Sequence, residues 1–218
     1  GVWPSMTMDQ PQYEAFKERI EQYMVKALRE AKVHTGWINP REDYEEGVRK
    51  FVRAILERSI SNPFLEEFLP FQSFVAQCGM HNALAQLLVK LTAPGIPDSY
   101  QGTEFWEFSL VDPDNRRAVD FELRARVLQE WQQTAGRDDV NRMALVRQLM
   151  ESWKDGRIKL YLLHTSLCHR REHPALYLEG DYVPLDCEGV RKSNICAFAR
   201  LHQEQAIVTV IPRLSADL

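Results

Sequence analysis

The chain has 218 residues, 44% of them hydrophobic and 27% charged, and its formal net charge at pH 7 is −4. This composition is typical of an ordinary globular protein with one large or two small domains. The negative net charge provides no general attraction to nucleic acid or to an anionic membrane, so we expect neither as a partner.

The sequence also argues against membrane insertion and disulfide bonding. It contains no apolar run long enough to cross a bilayer, and residues 1–4 lack the basic and apolar regions of a signal peptide. Its four cysteines are widely separated and have no CxxC spacing. We therefore expect buried thiols and a cytoplasmic protein.

The first predicted helix begins at Asp9. This residue is typical of an N-cap, with Pro11 in the first turn and Gln12 three residues after the cap. Apolar residues then recur at helical spacing until the helix is expected to end near residues 32–36.

A second helix is predicted to begin at Asn39, with Pro40 in the first position and Glu42 completing a capping box. Its expected buried stripe consists of Tyr44, Val48, Phe51, Val52 and Ile55. The two helices therefore flank a short polar segment, residues 32–39, which we call the 32–39 loop.

Further helices are predicted for most of the remaining chain up to residue 173. A short one begins at residues 62–63, and a separate, longer one begins at Pro70 and ends at the proline-rich break of residues 93–97. Residues 95–106 are expected to form a short strand and a loop. Three more helices are predicted at residues 121–134, 140–154 and 159–173.

The pattern changes to short strands beyond residue 177. The expected strands are residues 180–185, 195–200 and 206–211, of which the last is strongly β-branched. Three strands make a poor independent sheet, and the last would leave an apolar edge unpaired. The β region is therefore expected to be incomplete.

The segment APGIPDSYQGTE, residues 93–104, is a candidate sugar site. Its prolines and glycines favour an extended, rigid path that would present Asp98, Tyr100, Gln101 and Glu104. Planar polar groups and an aromatic ring suit a carbohydrate. A plain turn with solvated polar residues remains an alternative from these residues alone.

The segment SLVDPDNRRAVD, residues 109–120, concentrates opposite charges. Three carboxylates, Asp112, Asp114 and Asp120, lie close in sequence to Arg116 and Arg117. Asp-Pro-Asp-Asn is a strong turn sequence. We favour the interpretation that these residues form an arginine–carboxylate network, which holds a loop in place, rather than a catalytic cluster.

Several motifs, in order, resemble one enzyme family. PGIP followed by YxGxE is similar to the end of the eighth strand in α-amylase-type glycoside hydrolases. More narrowly, TAPGIPDSYQGTEFWEFSLVDPDNRRAVDF resembles maltooligosyltrehalose synthases. AKVHTGWINP, DGRIKL, GDYVPL and AFAR are similar to further segments of that family.

The resemblance implies an α/β fold: the C-terminal portion of a (β/α)8 barrel, mostly helical here, followed by the start of a C-terminal antiparallel β domain. Residues 1–157 would supply the last barrel helices and the final strand region. Residues 158–218 would supply a helix leading into the partial β domain.

The resemblance also implies an activity for the whole enzyme. Such an enzyme is an isomerase of trehalose biosynthesis, which converts the reducing-end α-1,4 linkage of a maltooligosaccharide into α,α-1,1 by intramolecular transglucosylation. It uses a retaining-type carboxylate mechanism. No motif that carries the family's catalytic carboxylates matches this chain, so we expect no catalytic residue and no activity in the fragment alone.

The expected role of the fragment is to form pocket walls for the maltooligosaccharide, together with the remainder of the barrel. The expected substrate-binding residues are Lys32, Trp37, Asn39, Tyr100, Gln101, Glu104, Arg116 and Arg117. For Trp37 an alternative is a hydrophobic staple that packs on the helix expected to begin at Asn39. No cofactor or metal is expected.

The sequence HRREH, residues 169–173, matches the HxxEH pattern of zinc peptidases, but the following Pro174 places His173 in the last helical turn. We therefore do not expect a metal site there. A couple between Cys168 and the adjacent His169 is also disfavoured, because neighbouring helical residues point apart. Two other functions stay open: another α-amylase-type hydrolase or transglycosidase, and a non-catalytic helical binding module.

Overall fold

The computed structural model describes residues 2–58, 61–134 and 139–217. The chain divides into two compact units, one of residues 1–74 and 108–117 and the other of residues 75–107 and 118–218. This division does not test the expected boundary between residues 157 and 158, which stays a prediction. Within the described residues, no helix is long and apolar enough to cross a membrane.

The elements are mainly helical and are followed by a small sheet. In chain order they are α1 (Gln10–Ala31), α2 (Glu42–Ile55), α3 (Pro63–Thr92), α4 (Phe121–Thr134), α5 (Asp139–Glu151), α6 (Arg157–Glu172), α7 (Pro174–Leu178), β1 (Asp181–Leu185), β2 (Ile195–His202) and β3 (Gln205–Pro212).

The start and end of α1 confirm the sequence prediction. The Gln12 backbone N–H donates to the Asp9 side chain at 2.9 Å, and the Asp9 N–H donates to the Gln12 side chain at 3.0 Å. This reciprocal capping box satisfies two backbone donors that the helix leaves without intrahelical partners. At the other end Lys32 is the C-cap, with a left-handed φ of 57°.

The predicted start of α2 is wrong. Its N-cap is Arg41, and Asn39 and Pro40 lie outside the helix. The predicted stripe is wrong at Phe51, which is 63% exposed, whereas Glu45 is buried. The later start of α2 follows from contacts that Glu45 makes, described below.

The prediction of two helices between residues 62 and 92 is also wrong, because α3 runs continuously through Pro70. A proline inside a helix removes one backbone hydrogen bond and costs roughly 3 kcal/mol. Apolar burial on both sides of Pro70 offsets this cost. Leu65 is buried before the proline, and Leu87 and Leu91 are buried after it.

No strand forms in residues 93–107, all of which the structure describes, so the strand predicted for residues 95–106 is absent. A strand needs a hydrogen-bonded neighbour. No such pairing reaches these residues within the described part of the chain.

The three predicted strands do form, as an antiparallel meander in the order β1-β2-β3. Asp181 pairs with Leu201 across β1 and β2, and His202 pairs with Gln205 across the hairpin between β2 and β3. On β3, Val208 and Val210 are each more than half exposed. The expectation of an apolar edge strand is confirmed.

Each unit has its own apolar core. Tyr13, Phe16, Val52, Leu56 and Leu65 form one in the first unit. The second unit has two buried clusters, one of Val127, Trp131, Leu149, Ile158 and Leu160, and one of Leu87, Leu91 and Leu163.

Arg200 on β2 is a deeply buried charge of the second unit and is only 2% exposed. Its guanidinium donates to the carbonyl oxygens of Gly180 at 2.7 Å, Tyr177 at 2.9 Å and Thr92 at 3.4 Å. It therefore fastens β2 to the segment that enters β1 and to the end of α3.

We predict that Arg200→Met destabilises the chain by roughly 3 kcal/mol or more, because a lost partner costs about 1–3 kcal/mol per buried group. Urea unfolding followed by circular dichroism measures the change. Arg213→Met is the control: Arg213 is exposed, and its loss should change the free energy of unfolding by less than about 0.5 kcal/mol. Equal effects of the two substitutions would contradict the anchoring role.

Candidate functional site

The Glu45 carboxylate holds the 32–39 loop in place through hydrogen bonds. Glu45 Oε1 accepts from Arg29 Nε at 2.8 Å and from the Thr35 hydroxyl at 2.7 Å, while Oε2 accepts from Arg29 Nη2 at 2.7 Å. The Thr35 oxygen in turn accepts the Arg41 backbone N–H at 2.9 Å. The end of α1, the loop and the start of α2 are thus joined in one network.

This network explains where α2 begins. The Thr35 hydroxyl takes the Arg41 N–H at the point where an Asn39 side chain was expected to cap the helix. The side chain of Asn39 is exposed instead.

The same network shifts the pKa of the Glu45 carboxyl. The Arg29 hydrogen bonds and then the Thr35 hydroxyl outweigh burial, and they lower the pKa from 4.5 to about 2. Glu45 is 3% exposed. A carboxylate with so little access to water is stable as an ion because a bidentate arginine and a hydroxyl replace its hydration.

The exposed surface of the loop carries three of the predicted substrate-binding residues. Lys32, Trp37 and Asn39 are all exposed, and Trp37 retains 57% of its surface. The Arg29 guanidinium carbon lies 5.1 Å from the Trp37 ring centroid, which is within cation–π range. The staple interpretation of Trp37 is wrong, because Arg41 is the N-cap and Pro40 occupies the staple position.

Asp114 organises the loop of residues 108–117. Its carboxylate accepts from Arg19 at 2.9 and 2.7 Å and from the Leu110 backbone N–H at 2.7 Å. Burial raises the pKa of the Asp114 carboxyl, but the hydrogen bonds from Arg19 and Leu110 outweigh it, so the pKa is lowered overall. This is the arginine–carboxylate network favoured by the sequence.

The two predicted arginines of this loop are used within it. Arg117 lies 3.2 Å from the Asp114 carboxylate and donates to the Ser109 hydroxyl at 2.9 Å. Arg116 is ion-paired with Asp112, although its side chain is 71% exposed. Their charges therefore hold the loop, and Arg116 keeps an accessible surface.

The remaining predicted residues lie on a turn in the second unit. Tyr100 and Gln101 are exposed, but Glu104 accepts from Arg124 Nε at 2.7 Å. Arg124 also donates to the Gly102 carbonyl at 2.9 Å, and Gly102 adopts a φ of 91° that favours glycine. Residues 101–104 form a turn, in which Glu104 is bound to an arginine, and the sugar-binding role of Tyr100, Gln101 and Glu104 stays a prediction.

The eight predicted substrate-binding residues therefore divide between the two units. Lys32, Trp37, Asn39, Arg116 and Arg117 belong to the first unit, and Tyr100, Gln101 and Glu104 belong to the second. Within the first unit, the five lie on two loops that each contact α1 through an arginine, Arg29 or Arg19.

Sequence reasoning missed Arg29, Glu45, Arg19 and Arg124, the residues that hold these loops. One signal was present: Glu45 is in helical phase with Val48 and Val52, so a carboxylate interrupts an apolar stripe. The partner on α1 is not visible from local sequence, because it depends on how the two helices pack.

The two histidines of the HRREH motif contact side chains within the fold. His169 Nδ1 lies 2.8 Å from the Tyr177 hydroxyl, and the His169 and His173 ring centroids are 4.5 Å apart. In the part of the chain that the structure describes, no three His, Cys, Asp or Glu side chains form a group able to hold a metal. Cys168 lies 3.8 Å from His164, one turn away, rather than against His169.

Comparisons with known proteins agree with the motif series. A putative maltooligosyl trehalose synthase of Mycobacterium tuberculosis is 33% identical over 200 residues, which is 92% of this chain and 22% of that protein. A crystal structure of a maltooligosyl trehalose synthase matches 91% of this chain and 25% of its own, with a TM-score of 0.75 and 35% identity. The resemblance to the maltooligosyltrehalose synthase family is confirmed.

A second solved structure supports the same conclusion. Maltooligosyltrehalose synthase from Arthrobacter ramosus is 30% identical and has a TM-score of 0.70, covering 92% of this chain and 24% of its own. No family model matches. The chain thus spans about a quarter of the length of the maltooligosyltrehalose synthases that it matches.

Glu45 makes the stability of this segment pH-dependent. Its pKa is lower in the folded chain than the ordinary 4.5, so its contribution is complete above about pH 4.5 and is lost as the pH falls through about 2. We expect the difference in unfolding free energy between wild type and Glu45→Gln to shrink across this window. Urea unfolding at a series of pH values measures it, and a pH-independent difference would contradict the role of the ionised carboxylate.

Proposed function

We propose that the chain is part of a maltooligosyltrehalose-forming isomerase, which converts the reducing-end α-1,4 linkage of a maltooligosaccharide into α,α-1,1 in trehalose biosynthesis. The observation that carries this proposal is the similarity to solved maltooligosyltrehalose synthases over nine-tenths of the chain, at 30–35% identity. Homologous enzymes of this identity generally retain their fold, while the chemistry depends on the site residues.

In this proposal the chain supplies the C-terminal portion of a (β/α)8 barrel and the start of an antiparallel β domain. The three-stranded meander with its exposed apolar edge supports the second part, since such an edge is normally paired or covered.

The reaction needs groups that this segment does not provide. A retaining mechanism requires a carboxylate nucleophile and a carboxylic acid that acts on the glycosidic oxygen. Glu104 and Asp114 are bound to arginines within the fold. We propose that the catalytic carboxylates come from the remainder of the barrel, that the isolated chain is inactive, and that no cofactor takes part.

The segment then acts as a wall of the pocket that holds the reducing-end glucose. After the α-1,4 bond breaks, the free glucose must turn and attack through its own anomeric hydroxyl before water reaches the glycosyl-enzyme. The exposed ring of Trp37 offers a flat surface for the sugar, and Lys32 and Asn39 offer hydrogen bonds to its hydroxyls. Arg116 and Arg117, on the other loop of this unit, contribute to the rim or to its support, and we propose Tyr100, Gln101 and Glu104 of the second unit as further substrate-binding residues.

The decisive experiment uses both the full-length protein that contains this chain and the chain by itself. Each is incubated with maltopentaose, and the product linkage is determined by NMR. We expect an α,α-1,1 anomeric signal from the full-length protein and none from the isolated chain. Release of glucose alone would favour another α-amylase-type hydrolase, and no conversion by the full-length protein would favour a binding module.

We predict that Trp37→Ala in the full-length protein lowers kcat/KM for maltopentaose by roughly 3- to 10-fold, which corresponds to a stacking contribution of about 0.7–1.4 kcal/mol. The fraction of substrate that is hydrolysed should rise, because glucose escapes more easily. Steady-state kinetics with product analysis measures both effects.

The matched control for this prediction is Ile38→Ala. Ile38 is on the same loop and is 91% exposed, but it has no flat ring. Its kcat/KM should stay within about twofold of wild type. Equal losses in both variants would contradict a stacking role for Trp37.

A further inference from the structure

Two arginine–glutamate pairs link α1 and α2, and they are closely matched. In one, Arg29 of α1 binds Glu45 of α2 at 2.8 and 2.7 Å; in the other, Arg53 of α2 binds Glu21 of α1 at 2.9 and 2.8 Å. Both pairs are bidentate, and both carboxylates are buried, with exposures of 3% and 7%. The two pairs differ in the exposure of the cation, since the Arg53 side chain is 54% exposed and the Arg29 side chain 25%.

They differ in what else they contact. Glu45 accepts the Thr35 hydroxyl at 2.7 Å, and the Arg29 guanidinium lies 5.1 Å from the centre of the Trp37 ring. The contacts of the Glu21 pair involve the helices themselves and Glu46 of α2. Only one of the two matched pairs thus reaches the 32–39 loop.

We propose that Arg29, Thr35 and Glu45 are positioning residues that hold Trp37 as a one-sided stacking platform for the reducing-end glucose. This rests on the proposed function and goes beyond it, because none of the three residues is required to touch the sugar. The guanidinium lies against one face of the indole. The exposed 57% of Trp37 then remains available to a single sugar ring.

The geometry explains how the platform stays fixed. The Thr35 hydroxyl uses both of its functions, since it donates to Glu45 and accepts from the Arg41 backbone N–H. The middle of the loop is therefore tied to the start of α2. Arg29 has a planar fork that binds both Glu45 oxygens and presents a flat cation to Trp37, a combination that lysine does not offer.

A fixed platform matters for this reaction in particular. The released glucose has to turn within the pocket without leaving it, so the wall must keep its shape after the bond to the sugar has broken. A tryptophan free to swing away would admit water and convert isomerisation into hydrolysis. Loss of positioning should therefore raise KM and shift the products towards free glucose.

The test compares Glu45→Gln with Glu21→Gln in the full-length protein. Both should lower the melting temperature, because each removes a buried carboxylate that is ion-paired between the same helices; Glu21→Gln should do so less, since Arg53 is half-exposed. Only Glu45→Gln is expected to raise KM for maltopentaose, by about threefold and by no more than Trp37→Ala does, and to raise the ratio of glucose released to trehalose-terminated product. Similar changes in KM and product ratio for both variants, or in neither, would overturn the positioning role.

Thr35 provides a second pair of variants with little change in volume. Thr35→Val removes the hydroxyl, and we expect the same rise in KM and glucose release as for Glu45→Gln. Thr35→Ser keeps the hydroxyl and should recover most of the lost function. A valine variant with wild-type KM and product ratio would contradict the proposal even if Glu45→Gln failed to fold.

A readout that needs no catalysis separates this proposal from the proposed function. The Trp37 emission is obtained as the difference between each variant and the same variant carrying Trp37→Phe, and its anisotropy reports mobility. We expect lower anisotropy for Glu45→Gln and Thr35→Val, but not for Glu21→Gln. If the wild-type protein forms no α,α-1,1 product, the proposed function fails; unchanged anisotropy in all variants overturns the positioning role.

Discussion

The buried carboxylate of Glu45 is the interaction on which the first unit depends. Removing a carboxylate from water costs several kcal/mol unless its oxygens find charged or hydrogen-bonding partners. Arg29 and Thr35 supply them, so the end of α1, the middle of the loop and the start of α2 have to meet at one point. The helix start, the exposure of Asn39 and the placement of Trp37 over Arg29 all follow from that meeting point.

The same principle builds the second loop of this unit. Asp114 binds Arg19 of α1 through both oxygens, and Arg19 also donates to the Phe108 carbonyl at 2.9 Å. A single long helix thereby supplies the cation for each of two loops, Arg29 for one and Arg19 for the other. In both cases the charged pair sets the path of the backbone, and the side chains offered to a ligand are other residues of the loop.

Sequence reasoning succeeded where neighbours along the chain decide the outcome. The Asp9 capping box and the turn between β2 and β3 depend on contacts a few residues apart, and both form where the sequence places them. It failed where distant packing decides. The Arg41 backbone N–H binds Thr35 instead of Asn39, because the Thr35 hydroxyl is held by Glu45, which is buried against α1. The α3 helix passes through Pro70, and residues 95–106 form no strand, because burial and strand pairing are properties of the assembled fold.

The candidate site divides along the same line. The segment DPDNRR and its neighbours carry much of the resemblance to the family. However, Asp114 and Arg117 are ion-paired within their loop, and Glu104 is bound to Arg124 at its turn. In this chain these motif residues hold the backbone of the loop and of the turn. A sugar-binding surface needs an exposed aromatic ring and exposed hydrogen-bonding groups. Trp37 offers the ring, and Lys32 and Asn39 offer the hydrogen-bonding groups. In this chain, therefore, the distinctive motif of residues 108–117 sets the path of its own backbone, and the 32–39 loop is the better candidate for contact with substrate.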